Sequence, residues 1–205
     1  MAATLVGYTE DTAGDRVCLA VSEPDAEGRP HRRRYYIDRA GYAQLGCPVS
    51  GSPLSPEAMG MLERADRRVR AVAAAVRLLA YGDNSRLALG RKLRQKGHDR
   101  ESTEAALAEM EARGYLREAE QAARYAAAAV QRKCWGRRRV LFALLGKGYT
   151  RAVALSAIAS AEAAGEIDFA AAKARLLADR LPPDADAETR RALLYRYGYG
   201  GGEEP

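Results

Sequence analysis

Three 13-residue segments with the same layout decide the fold of this chain: SRLALGRKLRQKG (residues 85–97), GRRRVLFALLGKG (136–148) and DAETRRALLYRYG (186–198). Each begins at a small or helix-capping residue, continues with basic and apolar residues, and ends at a glycine. The final glycines are 51 and 50 residues apart, and a second pair, Gly114 and Gly165, follows the first two by 17 residues. Self-similarity at a fixed period of this length indicates a repeat protein.

Each repeat is predicted to contain three helices. Gly97, Gly148 and Gly198 stand where a helix ends in the left-handed conformation, which glycine adopts without a Cβ penalty. Asp99 and Thr150 are then predicted N-caps of the third helices, because their side-chain oxygens accept hydrogen bonds from free amides. The predicted helices span residues 69–81, 86–96 and 100–113 in the first repeat, 117–133, 137–147 and 151–164 in the second, and 169–180 and 187–197 in an incomplete third.

The first 53 residues follow a different pattern. Residues 4–8 and 16–21 are rich in β-branched and aromatic types, and residues 33–37 mix polar and apolar side chains, which predicts an antiparallel meander of about three strands and a linker. Ser55 followed by Pro56 predicts the start of a connecting helix, which either ends near residue 68 or continues straight into the first repeat. The predicted fold is therefore mainly α, an elongated array of three-helix repeats after a small antiparallel β region. The predicted divisions are 1–53, 54–68, 69–116, 117–167 and 168–198, with a disordered tail over 199–205.

Positive charge is concentrated in the helical part of the chain. Residues 1–68 carry 9 Lys/Arg and 10 Asp/Glu, a net charge of −1, whereas the remainder carries 24 and 17, a net charge of +7. Such an asymmetry predicts an acidic partner for the helices, either nucleic acid or an acidic protein surface.

The second helix of every repeat is basic on the side away from its apolar positions. Repetition at equivalent positions favours an extended positive surface that follows a long anionic partner, and we call this set the basic stripe. The other interpretation is a solvated surface, because Lys and Arg are common on exposed helix faces. The basic stripe comprises Arg86, Arg91, Lys92, Arg94, Lys96, Arg132, Lys133, Arg137, Arg138, Arg139, Arg190, Arg191 and Arg196.

Nothing in the sequence predicts catalysis, a cofactor or a metal site. The two histidines, His31 and His98, are not at metal-ligand spacing from one another or from a cysteine. No nucleophile has a candidate base nearby in the sequence. The three cysteines are odd in number and lack a CxxC pair, which predicts reduced thiols. The chain opens without a signal-peptide pattern and contains no run of about 18 apolar residues, so we expect a cytoplasmic protein.

Several phrases of the chain resemble the RecX family of regulatory proteins. In the first repeat these are VRLLAY at residues 76–81 and the segments at 85–97 and 104–116. In the second repeat the likeness continues at residues 122–125 and 136–149. The resemblance covers nearly the whole chain.

The resemblance implies a protein that binds the RecA recombinase filament and modulates it, usually by inhibition, with weak non-specific contact to DNA. It also implies a monomer without an enzymatic reaction of its own. The chain departs from the family at Ala88 or Leu89, where the family has an acidic residue. The alternative is a helix-turn-helix protein that acts directly on DNA, since small three-helix units with basic helices also describe that class. An enzyme of unrecognised type is a third, weaker hypothesis.

Overall fold

The computed structural model describes residues 3–10 and 16–200. These residues form a small sheet followed by helices, which confirms the predicted fold class of helical repeats behind a small antiparallel β region. The strands are β1 (Ala3–Glu10), β2 (Arg16–Pro24), β3 (Pro30–Asp38) and β4 (Pro53–Leu54). The helices are α1 (Arg39–Gln44), α2 (Pro56–Ala80), α3 (Arg86–Gln95), α4 (Arg100–Ala112), α5 (Glu118–Lys133), α6 (Arg137–Gly146), α7 (Arg151–Ala163), α8 (Phe169–Arg180) and α9 (Ala187–Tyr197).

The chain divides into two compact units. Unit 1 holds the residues up to 81 together with 90–113, and unit 2 holds 82–89 together with the residues from 114 onward. Helix α3 therefore begins in unit 2 and ends in unit 1. This division differs from the predicted boundary between 116 and 117, because the start of α3 packs with residues of the second repeat.

The sheet of unit 1 has the order β3-β2-β1-β4, and all of its strand pairs are antiparallel. Successive side chains of a strand point to opposite faces. In β2 the residues Val17, Leu19 and Val21 are fully buried, and they pack with Leu62 of α2 in one hydrophobic cluster. The opposite face of the sheet is open to solvent, an arrangement common in antiparallel sheets.

A buried carboxylate closes the free edge of β3. Asp66 of α2 is only 3% exposed. Its Oδ1 accepts a hydrogen bond from the Tyr36 amide at 2.8 Å, and its Oδ2 pairs with Arg70 Nε at 2.8 Å. An unpaired edge amide invites pairing with another chain, so this contact both satisfies the amide and anchors α2 to the sheet.

We expect Asp66→Ala to lower the free energy of unfolding of unit 1 by about 1–3 kcal/mol, because the Tyr36 amide loses its buried acceptor. Asp66→Asn is the matched control, since its amide oxygen can still accept from Tyr36 while the charge on Arg70 is left unpaired. Urea unfolding followed by circular dichroism, with hydrogen exchange at residues 30–38, measures both variants. Equal destabilisation by the two variants would contradict an edge-closing role for the oxygen.

Unit 1 contains two features that the sequence did not predict. The two-residue strand β4 pairs with Ala3 and Thr4 of β1, and it is too short to show a pattern. Helix α1 begins at Asp38, whose side chain accepts from the Gly41 amide at 2.7 Å. Of the two alternatives for the connecting helix, the structure has the continuous one, α2, because neither glycine nor proline interrupts residues 61–81.

The helix ends of the repeats are where the sequence predicted them. Asp99 caps α4 by accepting from the Ser102 amide at 2.7 Å, and Thr150 caps α7 by accepting from the Val153 amide at 3.2 Å. Gly97, Gly148 and Gly198 have φ of +88°, +89° and +91°. The capping residues and the glycines thus define the helix ends through contacts within one turn of the chain.

Unit 2 packs α5, α6, α7 and α8 around small side chains. Ala126 and Ala129 of α5 and Ala154 and Ala157 of α7 are buried in one cluster that also contains Leu144 of α6. Most of α9 is exposed, and none of its residues is fully buried. Helix α9 must therefore be held to unit 2 mainly by its C-terminal end.

The predicted disordered tail at 199–205 begins too early. Tyr199 is packed within unit 2, with Cγ close to Gly136, and its hydroxyl is buried. Tertiary packing of the aromatic ring explains the difference from a glycine-rich sequence that favours disorder on composition alone. The rest of the predicted tail, residues 201–205, lies outside the described residues.

Candidate partner-binding surface

The C-terminal end of α6 lies against the N-terminal end of α3. The Ser85 hydroxyl donates to the carbonyl oxygen of Lys147 at 2.8 Å and accepts from the Ala88 amide at 3.1 Å. A Cβ on Gly148 would lie only 2.8 Å from Ser85 Oγ and 3.5 Å from Leu87 Cβ. The two helices therefore meet end to end within unit 2, and glycine permits the close approach.

The C-terminal end of α9 lies against α6 in the same way. The Gly136 amide donates to the Tyr197 carbonyl oxygen at 2.8 Å. A Cβ on Gly198 would lie 2.6 Å from the backbone nitrogen of Arg139, and a Cβ on Gly136 would lie 2.5 Å from the Gly198 carbonyl oxygen. Backbone atoms of the two segments are in contact here. A side chain at either glycine would therefore require a helix end to move.

The two end-to-end junctions are equivalent under the repeat. Ser85 and Gly136 occupy one repeat position, and Lys147 and Tyr197 occupy another. At each junction the free carbonyl groups of one helix face the N-terminal turn of the next, which is favourable because the opposite ends of two helix dipoles meet. Two of the repeat-marker glycines, Gly148 and Gly198, therefore have a second role that their positive φ alone did not predict.

Two of the three consecutive arginines of the basic stripe, Arg138 and Arg139, belong to this second junction. Arg138 donates to the Tyr195 carbonyl oxygen at 3.1 Å, and Arg139 donates to the Arg196 carbonyl oxygen at 3.0 Å. The guanidinium of Arg138 also lies 4.0 Å from the centre of the Tyr195 ring. Arg137 forms an ion pair with Glu162 of α7. Arg138 and Arg139 therefore cap α9 and join it to α6, whereas Arg137 joins α6 to α7. The charges of all three are engaged within the protein.

Trp135 adds a cation–π cluster beside the junction. Lys133 Nζ lies 4.5 Å and Arg139 Cζ lies 4.6 Å from the centre of the Trp135 ring. Such contacts each contribute about 0.5–2 kcal/mol, depending on their desolvation. Lys133 is thus another basic stripe residue that has a contact within the protein.

Arg175 and Tyr199 complete this region, and the sequence analysis identified neither. Arg175 Nε donates to Cys134 Sγ at 3.2 Å, and its Nη donates to the Val130 carbonyl oxygen at 3.3 Å, near the C-terminal end of α5. Burial, followed by the nearby Cys134, raises the pKa of Tyr199 to about 12. The buried Tyr199 hydroxyl has no hydrogen-bond partner among the described residues. No local pattern signals either residue, because both act across the fold.

Most of the remaining basic stripe residues face solvent, and Arg86 is the one that is half-buried. Arg86 is half-buried at the start of α3, where its amide donates to Glu118 Oε1 at 2.8 Å, and Lys92 is exposed. Seven stripe residues are exposed and form no ion pair with the described part of the chain. These are Arg91, Arg94, Lys96, Arg132, Arg190, Arg191 and Arg196. They lie on α3 or after its end, at the end of α5 and on α9.

Within residues 3–10 and 16–200, no group of His, Cys, Asp and Glu side chains could hold a metal ion. The three cysteines are free. Burial lowers the pKa of His98, which sits beside Asp99 in the turn between α3 and α4. None of the helices in that same part of the chain combines the length and apolarity that crossing a bilayer requires.

The architecture matches a known regulatory protein. A crystal structure described as regulatory protein RecX superposes with a TM-score of 0.68 over 95% of this chain and 91% of that one, at 14% identity. The chain has a RecX fold. RecX from Lactobacillus salivarius covers 65% of this chain and 97% of its own at 13% identity, with a TM-score of 0.46. Neither a protein-family model nor a curated protein matches the sequence.

The RecX fold agrees with the resemblance drawn from the repeat motifs. Because sequence identity to the RecX structure is 14%, the match concerns the fold.

Proposed function

We propose that this chain regulates a RecA-type recombinase by binding its filament on DNA. In this proposal it inhibits ATP hydrolysis, filament extension and strand exchange, and so acts in recombination and SOS repair. It works by binding, without a reaction of its own, as a monomer in the cytoplasm. The observation that carries the proposal is the RecX fold over 95% of the chain, at a TM-score of 0.68.

The electrostatics of the described residues support such a partner. The exposed members of the basic stripe lie on α3 or just after it, at the end of α5 and on α9. Exposed cations without an ion pair suit a polyanionic partner such as the DNA of a nucleoprotein filament. The exposed residues, rather than the junction arginines, are therefore the proposed contacts.

We expect titration of this protein into the cognate recombinase, with single-stranded DNA and ATP, to reduce the rate of DNA-dependent ATP hydrolysis severalfold. Inhibition should weaken steeply as salt rises, because counterions compete with the basic stripe. Strand exchange measured in the same reactions provides a second readout. A heat-denatured sample of the protein serves as the control.

If micromolar excess changes neither ATP hydrolysis nor strand exchange, the proposal is wrong. Sequence-selective binding to duplex DNA in the absence of recombinase would instead favour the alternative, a helix-turn-helix type of DNA-binding protein. An increase in the rate of ATP hydrolysis would support the recombinase as the partner but indicate activation instead of inhibition.

A further inference from the structure

The open face of the unit 1 sheet has an unusual composition for a solvated surface. Leu19 of β2 pairs with Tyr35 of β3 on the buried face, so Cys18 and Ala20 point to the other side. Gly7 of β1 pairs with Ala20. These small side chains form the floor of a shallow groove, where an exposed sheet face would ordinarily carry longer polar residues.

Arg34 and Tyr36 of β3 form one wall of this groove, and Arg32 lies beyond them on the same face. Arg34 pairs with Ala20, and Tyr36 pairs with Cys18, so both lie on the open face of β3. Arg32 pairs with Ser22 and lies two residues before Arg34, on the same face. Arg32 and Arg34 are exposed and form no ion pair within the described part of the chain.

Arg33, which lies between Arg32 and Arg34 in the sequence, differs from them because it has internal partners. Arg33 points to the opposite face, where its guanidinium lies 4.9 Å from the centre of the Tyr35 ring and 4.0 Å from Glu23 Oε1. Arg33 thus has a structural role, whereas Arg32 and Arg34 have none that the contacts reveal. Two arginines without internal partners on one face are available to an anionic ligand.

Tyr36 is held in a fixed position at the wall. Its amide is bonded to Asp66, and the guanidinium of Arg70 lies 5.6 Å from the centre of its ring. Its side chain nevertheless remains 37% exposed. A fixed, accessible aromatic ring next to unpaired guanidinium groups is the combination on which single-stranded nucleic acids bind, with bases stacked on the ring and phosphates paired with the cations.

We infer that the open face of the sheet, centred on Arg32, Arg34 and Tyr36, binds single-stranded nucleic acid. The backbone phosphates would follow the arginines of β3, and a base would stack on Tyr36 above the floor of small residues. Glu10 lines the other side of the groove, so the phosphates are expected on the β3 side. Duplex DNA fits this face less well, because its bases are already stacked and cannot reach the tyrosine.

The test measures binding of the full chain to a fluorescein-labelled 15-nucleotide oligothymidylate by anisotropy. Replacing Arg32 and Arg34 with alanine should weaken binding about tenfold and reduce the slope of log K against log salt by about 1.4, since each single-strand phosphate contact contributes about 0.7. Arg29→Ala with Arg33→Ala is the matched control, because it removes the same charge from the same hairpin but not from the open face. Tyr36→Ala should weaken binding about tenfold, and Tyr36→Phe should restore it.

Photo-crosslinking separates this face from the basic stripe on the helices. An oligonucleotide containing bromodeoxyuridine should crosslink to Tyr36, and tandem mass spectrometry of the tryptic peptide at residues 35–39 locates the adduct. Absence of a Tyr36 adduct, or equal losses in the two double-arginine variants, would overturn the inference. Equally strong competition by poly-glutamate and oligothymidylate would point to an acidic protein instead. The recombinase is absent from these assays, so they can fail independently of the proposed function.

Discussion

Replacing Gly198 with alanine is expected to destabilise unit 2 by about 3 kcal/mol and to release the C-terminal end of α9. Two costs combine at this position. The φ of +91° costs an L-residue roughly 1–2 kcal/mol. The added Cβ would also lie 2.6 Å from the backbone nitrogen of Arg139, where no flexible side chain can move aside.

Other glycines separate these two costs. Gly165, also in unit 2, has φ of +74° and no neighbouring atom within 4 Å of an added Cβ, so Gly165→Ala should show the conformational cost alone. Gly136 has φ of −77°, but its Cβ would lie 2.5 Å from the Gly198 carbonyl oxygen. Gly136→Ala should therefore show the steric cost alone, about 1–3 kcal/mol.

The single tryptophan of the chain provides the measurement. Trp135 contacts Arg139, whose guanidinium also lies 5.5 Å from the centre of the Tyr197 ring, so its fluorescence should change when α9 detaches. Urea unfolding gives the free energies, and hydrogen exchange over residues 187–199 reports the local release. If Gly198→Ala behaves like Gly165→Ala, the end-to-end junction does not contribute to stability.

The helix boundaries could be predicted because their causes are local. A capping side chain such as Asp99 or Thr150 and a terminal glycine such as Gly97 each act within one turn of the chain. The 50-residue period then extended these local signals to the third repeat. Helix α1 and strand β4 were missed because they are short and depend on packing against the sheet.

The roles of the basic residues could not be predicted, because charge in a sequence does not reveal its partners. Arg138 and Arg91 both lie on the second helix of a repeat and carry the same charge, yet Arg138 caps α9 and Arg91 faces solvent. Similarly, Gly97 and Gly198 share a repeat position and a positive φ. Of these two glycines, only Gly198 has backbone atoms of another helix within contact distance of an added Cβ. Such differences arise from contacts between neighbouring repeats, and the spacing of the repeated motifs does not predict those contacts.

Because some basic stripe residues face solvent while others cap α9, the same change of charge should impair filament binding at one place and stability at the other. Replacing Arg91 and Arg94 with glutamate changes the charge by four on one exposed face of α3, since residues three apart lie on the same side of a helix. We expect this variant to weaken binding to the recombinase–DNA filament by more than tenfold, because both lost attractions become repulsions. Its free energy of unfolding should stay within about 0.5 kcal/mol of the original, as is usual for surface substitutions.

Replacing Arg138 and Arg139 with glutamate makes the same change of charge at the second junction. The substitution removes two hydrogen bonds to the carbonyl oxygens of α9 and places carboxylates beside the negative end of that helix. We expect a loss of stability of more than about 2 kcal/mol, followed by detachment of α9. Filament binding by anisotropy and urea unfolding should be measured on both variants, because binding by the second is interpretable only at temperatures where it stays folded. If the first variant binds normally while remaining stable, the exposed charges of α3 serve solubility and the partner lies elsewhere.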